Sequence, residues 1–208
     1  ENEIMTGYFN NYNYLTPMTL GCLKDMGFGV YAASEHIATT GTNLLITPLP
    51  FIITYDSTET LANYIEPATT ILYDIIKTSN TTSGYVIDVS MINFADATTA
   101  YESSEGIIKL NSLYSDSNEY YINDISYGVF TVVLVHEILI VLGLVDVSLN
   151  FYNDANATIP YVYTGENGIA GYKEVLVANN FEVTDISYLP MEDIAGESYF
   201  EEGYNASY

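Results

Sequence analysis

From Val129 to Leu144 the chain reads Val-Phe-Thr-Val-Val-Leu-Val-His-Glu-Ile-Leu-Ile-Val-Leu-Gly-Leu, its most apolar stretch. A segment this apolar has to leave water, and either a bilayer or a protein core would take it. A membrane span needs about 20 apolar residues, whereas this run is shorter and is broken at its centre by His136-Glu137. It therefore predicts a buried helix, and a helix apolar on all sides obliges the rest of the chain to cover it. The 208 residues, 49% of them hydrophobic, suffice for such a core and exclude a wholly disordered chain.

The covering elements are legible by period. Leu15-Thr-Pro-Met-Thr-Leu-Gly-Cys-Leu-Lys-Asp-Met-Gly27 predicts a short amphipathic helix, with Thr16 as cap, Pro17 in the first position and Gly27 as stop. His36 to Pro50 has two prolines and no helical period, which predicts an extended connector. Phe51 to Tyr55 reads as a strand, Glu59 to Lys77 as a helix, Tyr85 to Ile92 as an alternating strand and Gly106 to Asn111 as a third. Residues 150–208, rich in Tyr, Asn, Gly and Glu, are expected to be mostly loop, and no internal repeat is visible.

Charge removes several function classes. Against 27 Asp and Glu stand 4 lysines and no arginine, for a net charge of -23, so there are no cations to cluster on a nucleic acid or an anionic membrane. One cysteine, Cys22, excludes an intrachain disulfide, and with only two histidines the usual ligands of a structural zinc site are nearly absent. Twenty-one tyrosines, no tryptophan and many Asn, Thr and Ser give a surface polar through hydroxyls and amides. With Glu1 in place of Met and no basic and apolar leader, the chain is expected to be a mature extracellular or cell-surface piece. Asn80, Asn156 and Asn205 each begin an N-x-[ST] sequon and are candidate glycan sites, although this composition gives about three such matches by chance.

Thr131 to Leu144 resembles the active-site helix of metzincin-clan zinc metallopeptidases, in which H-E-x-x-H is followed by an apolar residue, Leu and Gly. Residues four apart share a helix face, so two imidazoles hold one zinc while the intervening Glu acts as base on the bound water. Four further stretches narrow the resemblance to the leishmanolysin-like branch. Asn2-Glu-Ile-Met-Thr-Gly, followed by Leu15-Thr-Pro-Met-Thr-Leu-Gly-Cys-Leu-Lys-Asp-Met-Gly, is similar to that family's Met-turn stretch and the helix after it. Tyr161-Val-Tyr-Thr-Gly and Leu189-Pro-Met-Glu192 resemble its Y-x-G and V-P-[VL]-E elements.

The family order is strand, helix, strand, zinc helix, third-ligand His-Trp and then Met-turn, whereas here the Met-turn stretch comes first. Joining Glu1 behind Tyr208 restores the order, so the resemblance implies a circularly permuted or segment-swapped domain. It divides the chain into a Met-turn and helix segment (1–35), the connector (36–50) and a peptidase-like main body (51–208). The implied fold is α+β, a metzincin-like twisted mixed sheet with two long helices and an irregular second subdomain, in permuted order.

The same alignment puts Ile140 at the second ligand position and Tyr199 at the third. Ile offers no lone pair, and Tyr must lose a proton from a pKa near 10 to bind metal. His136 and Glu137 are therefore expected to be vestiges in a dead enzyme without zinc, and Met5 a core residue in place of the Met-turn methionine. Beside these stand the plain structural readings. His136-Glu137 is a buried hydrogen-bonded pair, His36 an exposed connector residue, Cys22 a small buried hydrophobe, and acidic runs such as Asp116 to Glu119 are solvated faces. Calcium stays open, since oxygen-rich loops in an acidic extracellular protein can hold it, but no D-x-[DN]-x-[DN]-G spacing is present.

Three functions follow. The expected one is a non-catalytic structural subunit of an extracellular filament or surface coat, a homopolymer grown head-to-tail because segment 1–35 completes a neighbour across a connector reaching at most about 50 Å. The second is a divergent secreted zinc metalloendopeptidase with substitute ligands. The third is a pseudoenzyme that holds a peptide without cutting it.

Overall fold

The structure, a computed structural model, describes residues 3–5, 10–30, 51–55, 59–79, 85–104, 106–116, 118–144, 151–153, 161–194 and 197–200. In chain order the elements are β1 (Tyr12–Asn13), α1 (Pro17–Asp25), β2 (Phe28–Val30), β3 (Phe51–Tyr55), α2 (Glu59–Ile75), β4 (Ile76–Ser79), β5 (Tyr85–Ile92), β6 (Tyr101–Ser104), β7 (Ile107–Asn111), β8 (Tyr120–Ile122), β9 (Ile125–Tyr127), α3 (Val129–Val141), β10 (Phe151–Asn153), β11 (Tyr161–Tyr163), α4 (Glu166–Ala178), β12 (Leu189–Ile194) and β13 (Glu197–Phe200). The chain is α+β. The expected connector, 36–50, lies outside the described residues.

Alternation builds the main sheet. In β5, Ile87 and Val89 are buried while Val86 is exposed, so one face turns to the core. The strand order is β3-β5-β7-β6, with β3, β5 and β7 parallel and β6 antiparallel at the edge. Against this sheet lies α3, which also packs on α2 and β8. Every residue from Phe130 to Leu139 is buried, as the unbroken apolar run requires. Gly143, at φ 103°, closes the helix, and the amides of Gly143 and Leu144 reach back to the carbonyls of Ile140 and Leu139.

The first segment completes this body. Thr16 caps α1 by accepting from the Met18 amide, Pro17 opens the helix, and Gly27 at φ 87° lies just past its end, all as the sequence predicts. On either side of α1 the segment pairs with the body: β1 runs parallel to β8, and β2 runs antiparallel to β4. The β4 pairing ends α2 at Ile75, two residues before the expected Lys77, because Ile76 enters a strand.

Residues 150–208 differ most from expectation. In place of a mostly loop region, α4 and a four-stranded sheet of order β10-β11-β12-β13 occupy much of it. Glycine is the reason α4 hides in the sequence, since each glycine lowers helix propensity by about 1 kcal/mol. Those glycines are where α1 crosses. A Cβ on Gly171 would lie 2.0 Å from the Pro17 carbonyl oxygen, and one on Gly21 would lie 2.1 Å from that of Asn167. Only glycine permits the two backbones to approach so closely.

Candidate functional site

α3 sets His136 and Glu137 at its centre, 3% and 2% exposed. His136 Nδ1 lies 2.7 Å from the backbone carbonyl oxygen of Ile4. A carbonyl can only accept, so Nδ1 carries a proton and donates it. A bond of this kind is also how proteins orient metal-ligating imidazoles. Ile4 belongs to the first segment, and Met5 beside it is 1% exposed. The first segment therefore lies against α3, and Met5 is a core residue.

The set His136, Ile140 and Tyr199 does not fit a catalytic zinc. Ile140 packs its hydrocarbon on the core and has nothing to donate. Tyr199 lies on β13 opposite Glu192, and its side chain is outside the described residues. Among the described residues no three His, Cys, Asp or Glu side chains form a metal-holding group. The sequons at Asn80, Asn156 and Asn205, and His36, also lie outside the described residues.

Two polar clusters that were not singled out from the sequence organise the first segment, one internal to it and one tying it to α4. The first is Glu3, buried beside Ile4. Its carboxylate accepts from the Ile4 amide at 2.9 Å, the Thr16 amide at 3.1 Å, the Thr19 hydroxyl at 2.7 Å and the Thr16 hydroxyl. Burial pushes the Glu3 carboxyl up to about 7, with the threonine and backbone donors pulling the other way. Thr16 serves twice, donating to Glu3 while its oxygen caps α1.

The second cluster is Asp25, at the end of α1. One oxygen accepts from the Asn167 amide at 3.0 Å and its side chain at 2.7 Å, and the other from the Gly168 amide at 2.8 Å and the Tyr163 hydroxyl at 3.0 Å. Those two amides are orphan donors in the first turn of α4, whose own cap, Gly165, has no side chain to offer. Asp25 thus caps a helix more than a hundred residues away and sets a negative charge at its positive end. Cys22 packs beside it, and burial pushes its thiol up, away from the reactive thiolate. The acidic run after Tyr114 is less freely solvated than expected, because Asp116 accepts from the hydroxyls of Tyr114 and Tyr120.

The stretches that carry the sequence resemblance meet in space. Glu3 of the Met-turn stretch binds Thr16 and Thr19 of the following helix, Asp25 of that helix binds Tyr163 of Tyr-Thr-Gly, and β11 pairs with Leu189-Pro190 of β12. No protein family, curated protein or solved structure matches the chain. Among the described residues, no helix is long and apolar enough to cross a membrane.

Proposed function

We propose that the chain is a non-catalytic structural subunit of an extracellular filament or coat, a leishmanolysin-like fold that has lost its zinc chemistry and polymerises head-to-tail by exchange of its first segment. The observation that carries this reading is Ile140, packed against the core one helical turn from His136. The only imidazole of α3 is buried and spends Nδ1 on holding the first segment, one helical turn from an isoleucine where a zinc site needs a second ligand.

Exchange is supported by what the segment contributes. Ile4, Met5, Leu20 and Leu23 are core residues, and Asp25 ties the end of the segment's helix to β11 and the start of α4. A body deprived of this segment exposes the apolar surface those side chains cover, and an identical segment from a neighbour restores it. An exchange that does not close on itself propagates as a fibre. The hydroxyl-rich surface, with glycans at Asn80, Asn156 or Asn205, then serves as its outer coat.

Electron microscopy of native material, combined with zinc analysis of the same sample, tests the reading. Regular filaments with a repeat fitting a 23.0 kDa unit, free of stoichiometric zinc, are expected. Discrete monomers would overturn the filament, and one zinc per chain with chelator-sensitive proteolysis would return the protein to the peptidases.

A further inference from the structure

Tyr12 of β1 and Tyr121 of β8 are register partners in a parallel pairing. Their rings stack with centroids 4.5 Å apart and planes 6° from parallel. Register alone sets two side chains on the same sheet face, and here both are phenols. Tyr12 is 50% exposed, so a dissolved oxidant reaches the pair directly. The Tyr121 hydroxyl donates to the Glu119 carboxylate.

We propose that Tyr12 and Tyr121 form an oxidative cross-linking site, coupled through their ortho carbons by a peroxidase-class one-electron oxidant that consumes hydrogen peroxide. Each phenol gives up one electron to the oxidant and one proton, that of Tyr121 passing to Glu119 and that of Tyr12 to water. The two radicals join in one carbon–carbon bond, and the ortho hydrogens move to the oxygens as the rings become aromatic again. Two tyrosines and one peroxide thus give one dityrosine and two waters. An acceptor already bonded to the phenol matters because electron and proton must leave together near neutral pH.

Other tyrosines have carboxylate partners: Tyr14 with Asp124, Tyr114 and Tyr120 with Asp116, and Tyr163 with Asp25. The stacked rings of Tyr12 and Tyr121 differ from Tyr114, whose ring meets Phe130 at a tilt. The covalent bond would tie the first segment to the body at the strand pairing that already joins them. Whether the segment sits on its own body or a neighbour's does not alter the chemistry at the pair.

The test treats the full chain with a haem peroxidase and limiting hydrogen peroxide, then maps tryptic and chymotryptic peptides by mass spectrometry. The expected product is a linked pair containing Tyr12 and Tyr121, lighter than the sum of its peptides by two hydrogens and carrying dityrosine fluorescence. Tyr12→Phe and, separately, Tyr121→Phe remove that product while leaving the circular dichroism unchanged, and Glu119→Gln slows its formation several-fold. Recovery of both tyrosines unmodified while others couple, or equal dityrosine yield in the Tyr12→Phe chain, would overturn the proposal. Should either variant fail to fold, the peptide map of the unsubstituted chain decides alone.

Discussion

The hydroxyl of Tyr163 donates a 3.0 Å hydrogen bond to Asp25 Oδ2, joining residues 138 apart in sequence. The same carboxylate caps α4 through the amides of Asn167 and Gly168, so one side chain fixes the end of α1, the start of α4 and the strand before it. Removing the phenol loses one of several bonds, whereas removing the carboxylate strands the rest. Tyr163→Phe should cost about 1 kcal/mol and Asp25→Ala about 2–3 kcal/mol of unfolding free energy. Urea denaturation of both variants and of the double variant measures this. If the double variant loses the full sum of the two, the bond between them contributes nothing.

The crossing of α1 and α4 reverses a normal helix rule. In an isolated helix, Gly→Ala gains about 1 kcal/mol. At Gly171 the added methyl would meet the Pro17 backbone at 2.0 Å, and neither backbone can yield without opening the crossing. Gly171→Ala is expected to destabilise by about 2–3 kcal/mol. At Gly128 the nearest atom to an added Cβ is a Tyr64 ring carbon at 3.7 Å, so Gly128→Ala should stay within about 1 kcal/mol of the unsubstituted chain. A shift in thermal midpoint at Gly171 no larger than that at Gly128 would contradict the crossing geometry.

Glu3 predicts an unusual pH dependence. Its carboxyl stands at about 7 in the folded chain against an ordinary 4.5, so the folded state holds a proton that the unfolded chain has already released. The stability it contributes is fully present below about pH 4.5 and is lost as pH rises through about 7, a change of about 3 kcal/mol at most. Repulsion among 27 acidic residues acts in the same direction, so the Glu3 part has to be taken by difference. Glu3→Gln should flatten the slope of urea-measured stability across that window. An identical slope in the variant would show that Glu3 does not hold the proton.

Sequence and structure agree where one physical signal dominates. The run through Phe130 to Leu139 has no polar face, so burial was dictated, and Thr16, Pro17 and Gly27 mark both ends of α1 by local chemistry alone. The α4 helix was illegible because its glycines answer to a partner helix from the far end of the chain, and local propensity counts them only as breakers. The hairpin of β8 and β9 turns at Asn123 and Asp124, both at positive φ, a cue present in the sequence but not used. For the site, His136, Glu137 and Ile140 could be read from spacing. The role of Glu3 could not, because a buried carboxylate is recognisable only once Thr16 and Thr19 are seen to face it.

Zinc affinity tests the proposed loss of a metal site. With Ile at position 140 the unsubstituted chain should retain no stoichiometric zinc after dialysis against a weak chelator. Ile140→His restores the i, i+4 pair with His136 on one helix face and should raise zinc affinity by about tenfold or more, without restoring peptidase activity while position 199 is Tyr. Competition against a chromogenic chelator measures both chains. Stoichiometric zinc in the unsubstituted protein would sink the pseudoenzyme reading, and no gain in the variant would mean that His136 and position 140 do not share a metal-facing side of α3.

Salt separates apolar exchange from charge as the force that governs assembly. Each subunit carries a net charge of -23, and like-charged subunits repel over a range set by the ionic atmosphere. That range is about 8 Å at about 0.15 M salt and about 30 Å at about 0.01 M, so dilution brings distant carboxylates on neighbouring subunits into play. A segment exchanged between subunits would bury apolar side chains whose attraction varies little over the same interval. Filaments should therefore form at physiological ionic strength and loosen on dilution, with the pelletable fraction falling and recovering when salt or a divalent cation returns. Polymer equally stable at both ionic strengths would mean that the contacts hold charge at arm's length from one another. A polymer that disperses only when salt is raised would require the few cations, Lys24, Lys77, Lys109 and Lys173, to make the contacts, and would contradict growth by apolar exchange.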